Sequence, residues 1–504
     1  MLLLPSVFLL SIWTQVSSGS RTTEEWKSRI IYQLLTDRFS QAGEAPSVQC
    51  SDLKSYCGGT FVGIKERLDY IQSLGASAIW ISPFVENTDK GYHGYWAKNI
   101  FKVNPMFGTR EELLDLVDAC HERDIWVMMD VVANHMGYPV GTPYNFTDFV
   151  PFNETWHYHE WCEIEDFTCQ ESVELCRLFG LPDLNETQPF VRETLLNWIA
   201  NITQEFGFDG YRIDTVVEMP KSFWRDFYES GDTFMMGEAN NGDRTCYTGA
   251  YQGPLPSLLN FPQYWAMRRA FTERKPMTEI TDSLAEQREC FSDVTALGLF
   301  VDNHDFPRFL NLMNDTKLLS NALAYVMFGE GFPLVYYGTE QSFHGGGDPL
   351  NRESLWPYYS TEAPLYKYIK SLTTARKSLD VNFTARNQVE LFVDSNTLVF
   401  ARGKNSELLV VLTNVGHLGA QSVMENTVTG LGRYTDNTEF VNIFTSEDII
   451  TVNRGATVIR LNEGLPKVYL KRQPGGSSSS SVRDVIPPSL LGLACMLSFF
   501  ATRL

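Results

Sequence analysis

The sequence predicts an α/β fold: a (β/α)8 TIM barrel with a small domain inserted after strand 3 and a C-terminal antiparallel β-sandwich domain. Short apolar runs alternate with helix-like stretches over most of the chain. After about residue 377 the pattern changes to short alternating segments separated by Gly and Asn. With 504 residues, 43% of them hydrophobic, the chain is long enough for a barrel and a smaller domain.

The predicted barrel strands are mainly apolar runs, each followed by polar residues. Helical patterns such as residues 110–123 and 190–206 separate them, which indicates parallel strands joined by right-handed crossovers. The runs cover residues 30–35, 78–83, 125–132, 210–214, 234–238, 258–261, 297–301 and 333–337.

One interval breaks the alternation and marks an insertion. Between residues 134 and 190 the pattern gives way to turn formers, aromatic residues and cysteines, over a length that exceeds an ordinary connection. We therefore expect an inserted domain that overhangs the active rim. The expected divisions are residues 21–133 and 186–377 for the barrel, 134–185 for the insert and 378–472 for the C-terminal domain.

The two ends of the chain predict the secretory pathway. Residues 1–20 are apolar and then small, as in a signal peptide, although no Lys or Arg lies near the start. Residues 473–504 run from Gly and Ser to an apolar tail, the order of a GPI-anchor signal. A membrane-spanning anchor is the alternative, but Pro487 and Pro488 interrupt the tail. Sequons for N-glycosylation occur at Asn145, Asn153, Asn185, Asn201, Asn314 and Asn382.

Nine cysteines fit a compartment that permits disulfides. Cys495 lies in the tail that GPI processing would remove. Local spacing favours Cys50 with Cys57 and Cys162 with Cys176. It leaves open the pairing of Cys120, Cys169, Cys246 and Cys290.

Net charge narrows the class of ligand. A formal charge of −20 and a pI near 4.9 repel phosphate backbones and anionic membrane surfaces but not a neutral substrate. Nucleic acid is therefore excluded as an expected partner.

Three acids stand where apolar runs end. Asp214, Glu238 and Asp305 each close such a run, which predicts that they meet at the catalytic rim of the barrel. Two carboxylates about 5 Å apart can cleave a glycosidic bond with retention, one as nucleophile and the other as general acid. The third acid is available to bind substrate.

The strings around these acids resemble motifs of the α-amylase family of glycoside hydrolases, most closely its secreted fungal members. The resemblance runs from about Trp26 to Leu470. It rests on residues 130–135 (Asp-Val-Val-Ala-Asn-His), 181–184 (Leu-Pro-Asp-Leu), 210–214 (Gly-Tyr-Arg-Ile-Asp), 237–238 (Gly-Glu) and 301–305 (Val-Asp-Asn-His-Asp).

The resemblance implies a role for each acid. Asp214 would be the nucleophile, Glu238 the general acid and base, and Asp305 the carboxylate that stabilises the transition state. Arg212 lies two residues before Asp214, on the same face of a strand, where it would keep Asp214 ionised. Burial and the charge of Asp305 would raise the pKa of Glu238.

The resemblance also implies substrate-binding and calcium-binding residues. Around the cleavage subsite these are His93, Tyr95, Trp96, His135, Arg212, His304, Asp348 and Arg352. Ca2+ would bind between barrel and insert through Asn134, Glu174, Asp183 and the backbone carbonyl of Glu218, all of them the oxygen donors that calcium prefers.

One departure from the family pattern affects the expected function. Val217 and Glu218 stand where many relatives have Lys-His, so binding on the leaving-group side must differ. We expect a monomeric α-amylase that cleaves α-1,4 bonds in starch, glycogen or maltooligosaccharides, at the cell surface or secreted. An α-1,4-glucanotransferase is one alternative, because a sugar can replace water in the second step. A non-catalytic binding or transporter-associated subunit is the other, and the intact acids argue against it.

Overall fold

The structure is a computed structural model, which describes residues 21–472 except 45, 140–144, 243, 404–405, 422–423, 433 and 462. The predicted signal peptide and GPI signal, at residues 1–20 and 473–504, lie outside the described residues. In the part of the chain that is described, no helix has the length and apolar character needed to cross a membrane.

Eight parallel strands form the barrel and confirm the predicted runs. Around the sheet the first strand lies between the second and the eighth, and the fourth lies between the third and the fifth. A parallel bridge between Leu259 and Gly298 joins the sixth and seventh strands. The strands are Ile31–Leu34, Ala78–Ile81, Trp126–Val131, Gly210–Ile213, Phe234–Gly237, Ser257–Leu258, Gly298–Leu299 and Phe332–Tyr336.

Helices surround the barrel, and local signals set their ends. Thr109 and Glu112 form a capping box at the start of one helix, and Gly207 ends another with φ 65°. The helices that follow the barrel strands are Phe61–Glu66, Leu68–Leu74, Arg110–His121, Pro189–Phe206, Lys221–Gly231, Thr245–Gly249, Phe261–Thr272, Thr278–Cys290, Thr316–Phe328 and Pro364–Lys377. Shorter helices are Thr23–Lys27, Thr36–Phe39, Gln170–Leu175 and Phe309–Leu312, with 3-10 turns at Thr155–His157, Val216–Glu218, Val294–Ala296, Thr339–Gln341, Val381–Phe383 and Gly416–Gln421.

Alternation along the strands fills the barrel and places polar groups at one rim. In the third strand Trp126 and Met128 pack inside the barrel, whereas Val127 and Met129 face the surrounding helices. The next inward position is Asp130, at the carboxyl end of the strand. The barrel interior is therefore apolar, whereas the rim at the carboxyl ends of the strands, which carries the site, is charged.

The C-terminal domain is an antiparallel sandwich. Its larger sheet contains Val389–Val393, Thr397–Arg402, Leu408–Thr413, Lys467–Lys471, Thr438–Asn442 and Thr445–Val452, and its smaller sheet pairs Met424–Val428 with Thr457–Leu461. Val399, Val411 and Ile459 pack in the core between the sheets. Alternate residues of the large sheet, such as Phe400 and Val410, pack on the barrel's core.

The disulfides confirm the two expected pairings and show how the four cysteines left open are arranged. Cys50 bonds Cys57, Cys162 bonds Cys176, and Cys246 bonds Cys290. Among the described cysteines, Cys120 is free and buried and Cys169 is free and exposed.

The inserted segment is held on the barrel by bridges and a disulfide. His135 bridges Asp183 and Tyr158 bridges Leu184, close to where the segment leaves and rejoins the barrel. The Cys162–Cys176 bond closes its middle, next to the helix Gln170–Leu175. A hairpin of Val85–Asn87 and Ala97–Val103 supports it from the second barrel strand, through a bridge from Asn99 to Val150.

Candidate active site

The three predicted catalytic acids line one cleft at the carboxyl ends of the barrel strands. Asp214 directly follows the fourth strand, Glu238 follows the fifth, and Asp305 lies beyond the seventh. The cleft has a volume of about 590 Å³. Its walls contain all the predicted substrate-binding residues except Arg212, namely His93, Tyr95, Trp96, His135, His304, Asp348 and Arg352.

Arg212 lies beneath the cleft and contacts both central carboxylates. Its Nη1 is 2.6 Å from Asp214 Oδ1, and its Nη2 is 2.7 Å from Glu238 Oε2. The side chain is fully buried, so little solvent screens these contacts. One guanidinium thus holds the two acids side by side, as a retaining glycosidase requires.

Asp130 completes this charge cluster, and the sequence did not single it out as a site residue. It is the register partner of Arg212 on the neighbouring strand, and it accepts from Arg212 Nη1 at 3.0 and 3.2 Å. Tyr95 Oη and Trp80 Nε1 donate to its Oδ2 at 2.8 and 2.9 Å. Period-two alternation along the third strand could have identified it, because it follows two inward residues.

Burial dominates the electrostatics of the two central acids. It raises the pKa of Asp214 to about 6, although Arg212 opposes the shift. It raises the pKa of Glu238 to about 8, with Arg212 again opposing it and the charges of Asp214 and Asp305 adding to it. The expectation for Glu238 agrees with this direction. The expected effect of Arg212 on Asp214 is present but smaller than the effect of burial.

Asp305 lies across the cleft in a more open position. Its side chain is 34% exposed, and its Oδ1 lies 3.4 Å from His304 Nε2 and 3.6 Å from Arg352 Nη2. Arg352 also contacts Asp348 at 3.1 Å and donates from Nε to the His304 carbonyl at 2.9 Å. Arg352 therefore ties the two acids at this end of the cleft to the loop that carries His304.

The protonated nitrogen of His304 is set by Gln33, a residue that sequence reasoning missed. Gln33 Nε2 donates to His304 Nδ1 at 2.8 Å, so the proton of the neutral ring is on Nε2. That nitrogen lies 2.7 Å from Tyr95 Oη, which in turn donates to Asp130. Burial lowers the pKa of His304 and keeps the ring neutral.

The other two histidines differ in what they leave available. His93 Nδ1 accepts from the Tyr95 backbone N–H at 3.1 Å, which leaves Nε2 as a donor. His135 also lines the cleft, but its Nε2 lies 3.2 Å from the Tyr95 carbonyl. Burial lowers the pKa of both rings, that of His135 to about 4.

Three of the four predicted calcium ligands converge. One end of the Asn134 side-chain amide lies 3.1 Å from the Glu218 carbonyl oxygen and 3.1 Å from Asp183 Oδ1. With nitrogen at that end the amide donates to both; with oxygen there, three oxygens face one another, which is a donor set of the kind that calcium binds. The fourth, Glu174, accepts a hydrogen bond from Gln170 on the helix Gln170–Leu175. His159 lies 2.6 Å from the second oxygen of Asp183 and was not anticipated.

Comparison with known proteins assigns the chain to a family. The model of the α-amylase catalytic domain matches residues 33–385, and the model of α-amylase domain C matches residues 390–479. Alpha-amylase 1 of Schwanniomyces occidentalis is 34% identical over 89% of this chain and 90% of its own. The α-amylase of Saccharomycopsis fibuligera is also 34% identical, over 89% of this chain and 92% of its own. A solved α-amylase from Malbranchea cinnamomea superposes with a TM-score of 0.85 at 35% identity, covering 89% of this chain and 97% of that one. The chain therefore belongs to the α-amylase family and is a glycoside hydrolase of the α-amylase type.

Proposed function

We propose that this α-amylase cleaves α-1,4 bonds within glucan chains with retention, using Asp214 as nucleophile and Glu238 as general acid and base. The observation that carries the proposal is that one buried guanidinium, that of Arg212, contacts both carboxylates. The different pKa values of the two acids support the assignment. At pH 7 an acid with a pKa of about 6 is mostly ionised and one with a pKa of about 8 is mostly protonated.

In the first step the Asp214 carboxylate attacks the anomeric carbon while Glu238 protonates the leaving oxygen. The bond between the anomeric carbon and that oxygen breaks, and an ester to Asp214 forms. In the second step Glu238, now ionised, takes a proton from water. The water oxygen attacks the anomeric carbon and Asp214 leaves, which restores both acids.

The remaining cleft residues would bind and orient the sugar at the cleavage subsite. Asp305 is exposed enough to accept hydrogen bonds from sugar hydroxyls. Its negative charge would stabilise the positive charge that develops on the sugar ring in the transition state. His93, neutral and with its proton on Nε2, is a donor at the same place, and His304 lies beside it with its Nε2 against Tyr95 Oη. Tyr95 and Trp96 supply aromatic faces to the cleft wall, where Asp348, Arg352 and His135 also lie.

A structural Ca2+ is part of the proposal, and the donors present suit it. Asn134, Asp183 and the Glu218 carbonyl are hard oxygen donors already close together, and Glu174, on the helix Gln170–Leu175, would be the fourth. When bound, the ion would tie the inserted segment to the barrel. The chemistry itself stays with the three carboxylates.

The cellular localisation is also a proposal, and it rests on the sequence. We propose that residues 1–20 direct the chain into the secretory pathway and that residues 473–504 direct attachment of a GPI anchor to the cell surface. Release of surface-bound activity by a phosphatidylinositol-specific phospholipase tests the anchor. Retention of the protein on the membrane would favour a spanning tail.

Product analysis tests the catalytic proposal. Three proteins are incubated with calcium and maltoheptaose: the wild type, a Glu238→Gln variant, and a Glu362→Gln control at an exposed glutamate. We expect α-configured shorter products from the wild type and the control, and a loss of at least about 100-fold in the Glu238 variant. Wild-type protein as inactive as the Glu238 variant would contradict the proposal, as would initial products of β configuration.

A further inference from the structure

A glutamine lies inside the barrel, where apolar side chains are the rule. Along the first strand Ile31 packs in the barrel interior, whereas Tyr32 and Leu34 face the surrounding helices. Gln33 therefore points inward, and it is only 2% exposed. A buried amide is costly unless it is hydrogen-bonded, so the contacts of Gln33 account for its presence there.

The partner of Gln33 is the imidazole ring of His304. Gln33 Nε2 lies 2.8 Å from His304 Nδ1. The backbone of His304 is held separately, because its carbonyl accepts from Asn351 Nδ2 at 2.8 Å and from Arg352 Nε at 2.9 Å. Gln33 therefore acts on the ring and on the position of its proton, and not on the loop that carries it.

The direction of this contact follows from the far end of a hydrogen-bond chain. Asp130 accepts from Arg212 Nη1 and from Trp80 Nε1, and both of these groups can only donate. Burial raises the pKa of Asp130 to about 6, although Arg212 opposes the shift, so at pH 7 its carboxylate is mostly ionised. Tyr95 Oη lies 2.8 Å from Asp130 Oδ2 and must therefore donate its single proton to it.

The remaining contacts of the chain then have one direction each. Because the Tyr95 proton is used, its oxygen accepts from His304 Nε2 at 2.7 Å. Burial keeps the ring neutral, so a proton on Nε2 leaves Nδ1 bare and in need of a donor. The amide of Gln33 supplies that donor. An ionised glutamate of the same size has no proton to give.

The direction of the chain matters to the acids of the cleft. His304 Nε2 lies 3.4 Å from Asp305 Oδ1, so an N–H there presents the positive end of its dipole to the carboxylate. With the proton on Nδ1, the Nε2 lone pair would face Asp305, and the Tyr95 hydroxyl would turn from Asp130 to meet it. Asp130 would lose a donor and draw more strongly on Arg212, the guanidinium that holds the two central acids.

We infer that Gln33 is a positioning residue for catalysis: it fixes the direction of the hydrogen-bond chain and so keeps an N–H, and not a lone pair, beside Asp305. The inference rests on the proposed function. Gln33 lies behind His304 and does not line the cleft. Its replacement should therefore slow cleavage more than it weakens the binding of the glucan.

The position of the proton on His304 is the first test. In protein labelled with 15N at histidine, the NMR signals of the two ring nitrogens distinguish a protonated nitrogen from a bare one. A His304→Asn variant identifies the signals of this ring among those of the eight histidines. At pH 7 we expect a proton on Nε2 alone in the wild type, and a proton on Nδ1 in Gln33→Glu, whose carboxylate accepts it.

Kinetics of three variants separate direction from packing. Gln33→Glu keeps the size of the side chain and reverses its role, and Gln33→Met removes the donor. Gln287→Met is the matched control, because Gln287 is an equally buried amide that bonds Gln263 and Ser283 outside the cleft. With maltoheptaose, below the unfolding temperature of every variant, we expect kcat to fall about 10- to 100-fold in Gln33→Glu and about 3- to 10-fold in Gln33→Met. We expect KM to stay within about threefold of the wild type, and kcat of the control within about twofold.

Each outcome has a distinct meaning. A proton on His304 Nδ1 in the wild type overturns the inference, as does an unchanged kcat in Gln33→Glu. If Gln33→Glu does not fold, Gln33→Met decides, and a loss of kcat no larger than that of Gln287→Met overturns the inference. An active wild type with unaffected Gln33 variants refutes the role of Gln33 alone, whereas a wild type that cleaves no maltoheptaose refutes the proposed function itself.

Discussion

Asp130 lies directly beside Arg212 on the neighbouring barrel strand, with both carboxylate oxygens within 3.2 Å of Arg212 Nη1. Asp130 is completely buried, so it shares the positive charge of Arg212 with Asp214 and Glu238. The amount of positive charge that acts on Glu238 therefore depends on a residue that does not line the cleft.

We predict that Asp130→Asn lowers kcat and shifts the basic limb of the pH profile. The amide keeps the size of the side chain but removes one anion that competes for Arg212. Because Arg212 lowers the pKa of Glu238, its less divided charge should lower that pKa further. We expect kcat to fall about 10- to 100-fold and the basic limb of kcat/KM to move to lower pH, measured with maltoheptaose.

Asp69→Asn, at an exposed acid paired with Arg123, is the matched control and should leave both quantities unchanged. A basic limb that stays in place or moves to higher pH in Asp130→Asn would show that Asp130 does not control the charge on Glu238.

The wild-type pH profile follows from the two acids of the proposed mechanism. Burial raises the pKa of Asp214 to about 6, so below that pH the nucleophile becomes protonated and activity falls. It raises the pKa of Glu238 to about 8, so above that pH the general acid is lost. We expect a bell-shaped kcat/KM profile with limbs near these values, since kcat/KM reports the free enzyme. A maximum below pH 5 would contradict the assignment.

Calcium should stabilise the fold through the oxygens that converge on Asn134. We predict that saturating Ca2+ raises the Tm of the wild type by several degrees relative to a chelator, because a ligand at about 100 times its Kd adds about 2.7 kcal/mol. Asp183→Asn should remove most of this increment, since it deletes the charged ligand. Thermal unfolding with calcium and with chelator measures it.

Asp118→Ala, at an exposed acid on the helix Arg110–His121, should retain the full increment. The comparison uses the difference between the two conditions, so loss of the His159 contact in the Asp183 variant affects both alike. If the Tm of the wild type is the same with calcium and with chelator, a structural calcium site is excluded.

The barrel and its three acids could be predicted because their signals are local. An acid such as Glu238 that ends an apolar run must lie at the carboxyl end of a buried parallel strand, whatever the rest of the chain does. The motif around Asp214 has the same property. Identifying the apolar runs needed no knowledge of long-range pairing.

The features that were missed depend on contacts between distant segments. Gln33 lies at the end of the first strand and acts on His304, which is 271 residues away. Phe179 matches no motif, and its place on the cleft wall became visible only with the structure. His135 lines the cleft, as expected, but the contact of its Nε2 with the Tyr95 carbonyl is one that sequence spacing cannot locate.

The cysteines allow a last prediction, about the pairing that spacing left open. Cys246 bonds Cys290 across 44 residues, which links the helix Thr245–Gly249 to the end of Thr278–Cys290. A protein of residues 21–472 contains eight cysteines, six of them bonded, and so should show two thiols after unfolding without reductant. In the native state Cys169 should react quickly, because it is exposed, and Cys120 only upon unfolding.

Replacing both Cys246 and Cys290 by Ser should lower the stability substantially, since closing a loop of this length restricts the unfolded chain by up to about 4 kcal/mol. The matched comparison is Cys50→Ser with Cys57→Ser, which opens a loop with a separation of only 7 residues and should cost less. Denaturant unfolding measures both losses. Four thiols in the unfolded wild type would contradict the Cys246–Cys290 pairing. A larger loss of stability from opening the short loop would contradict its expected contribution to stability.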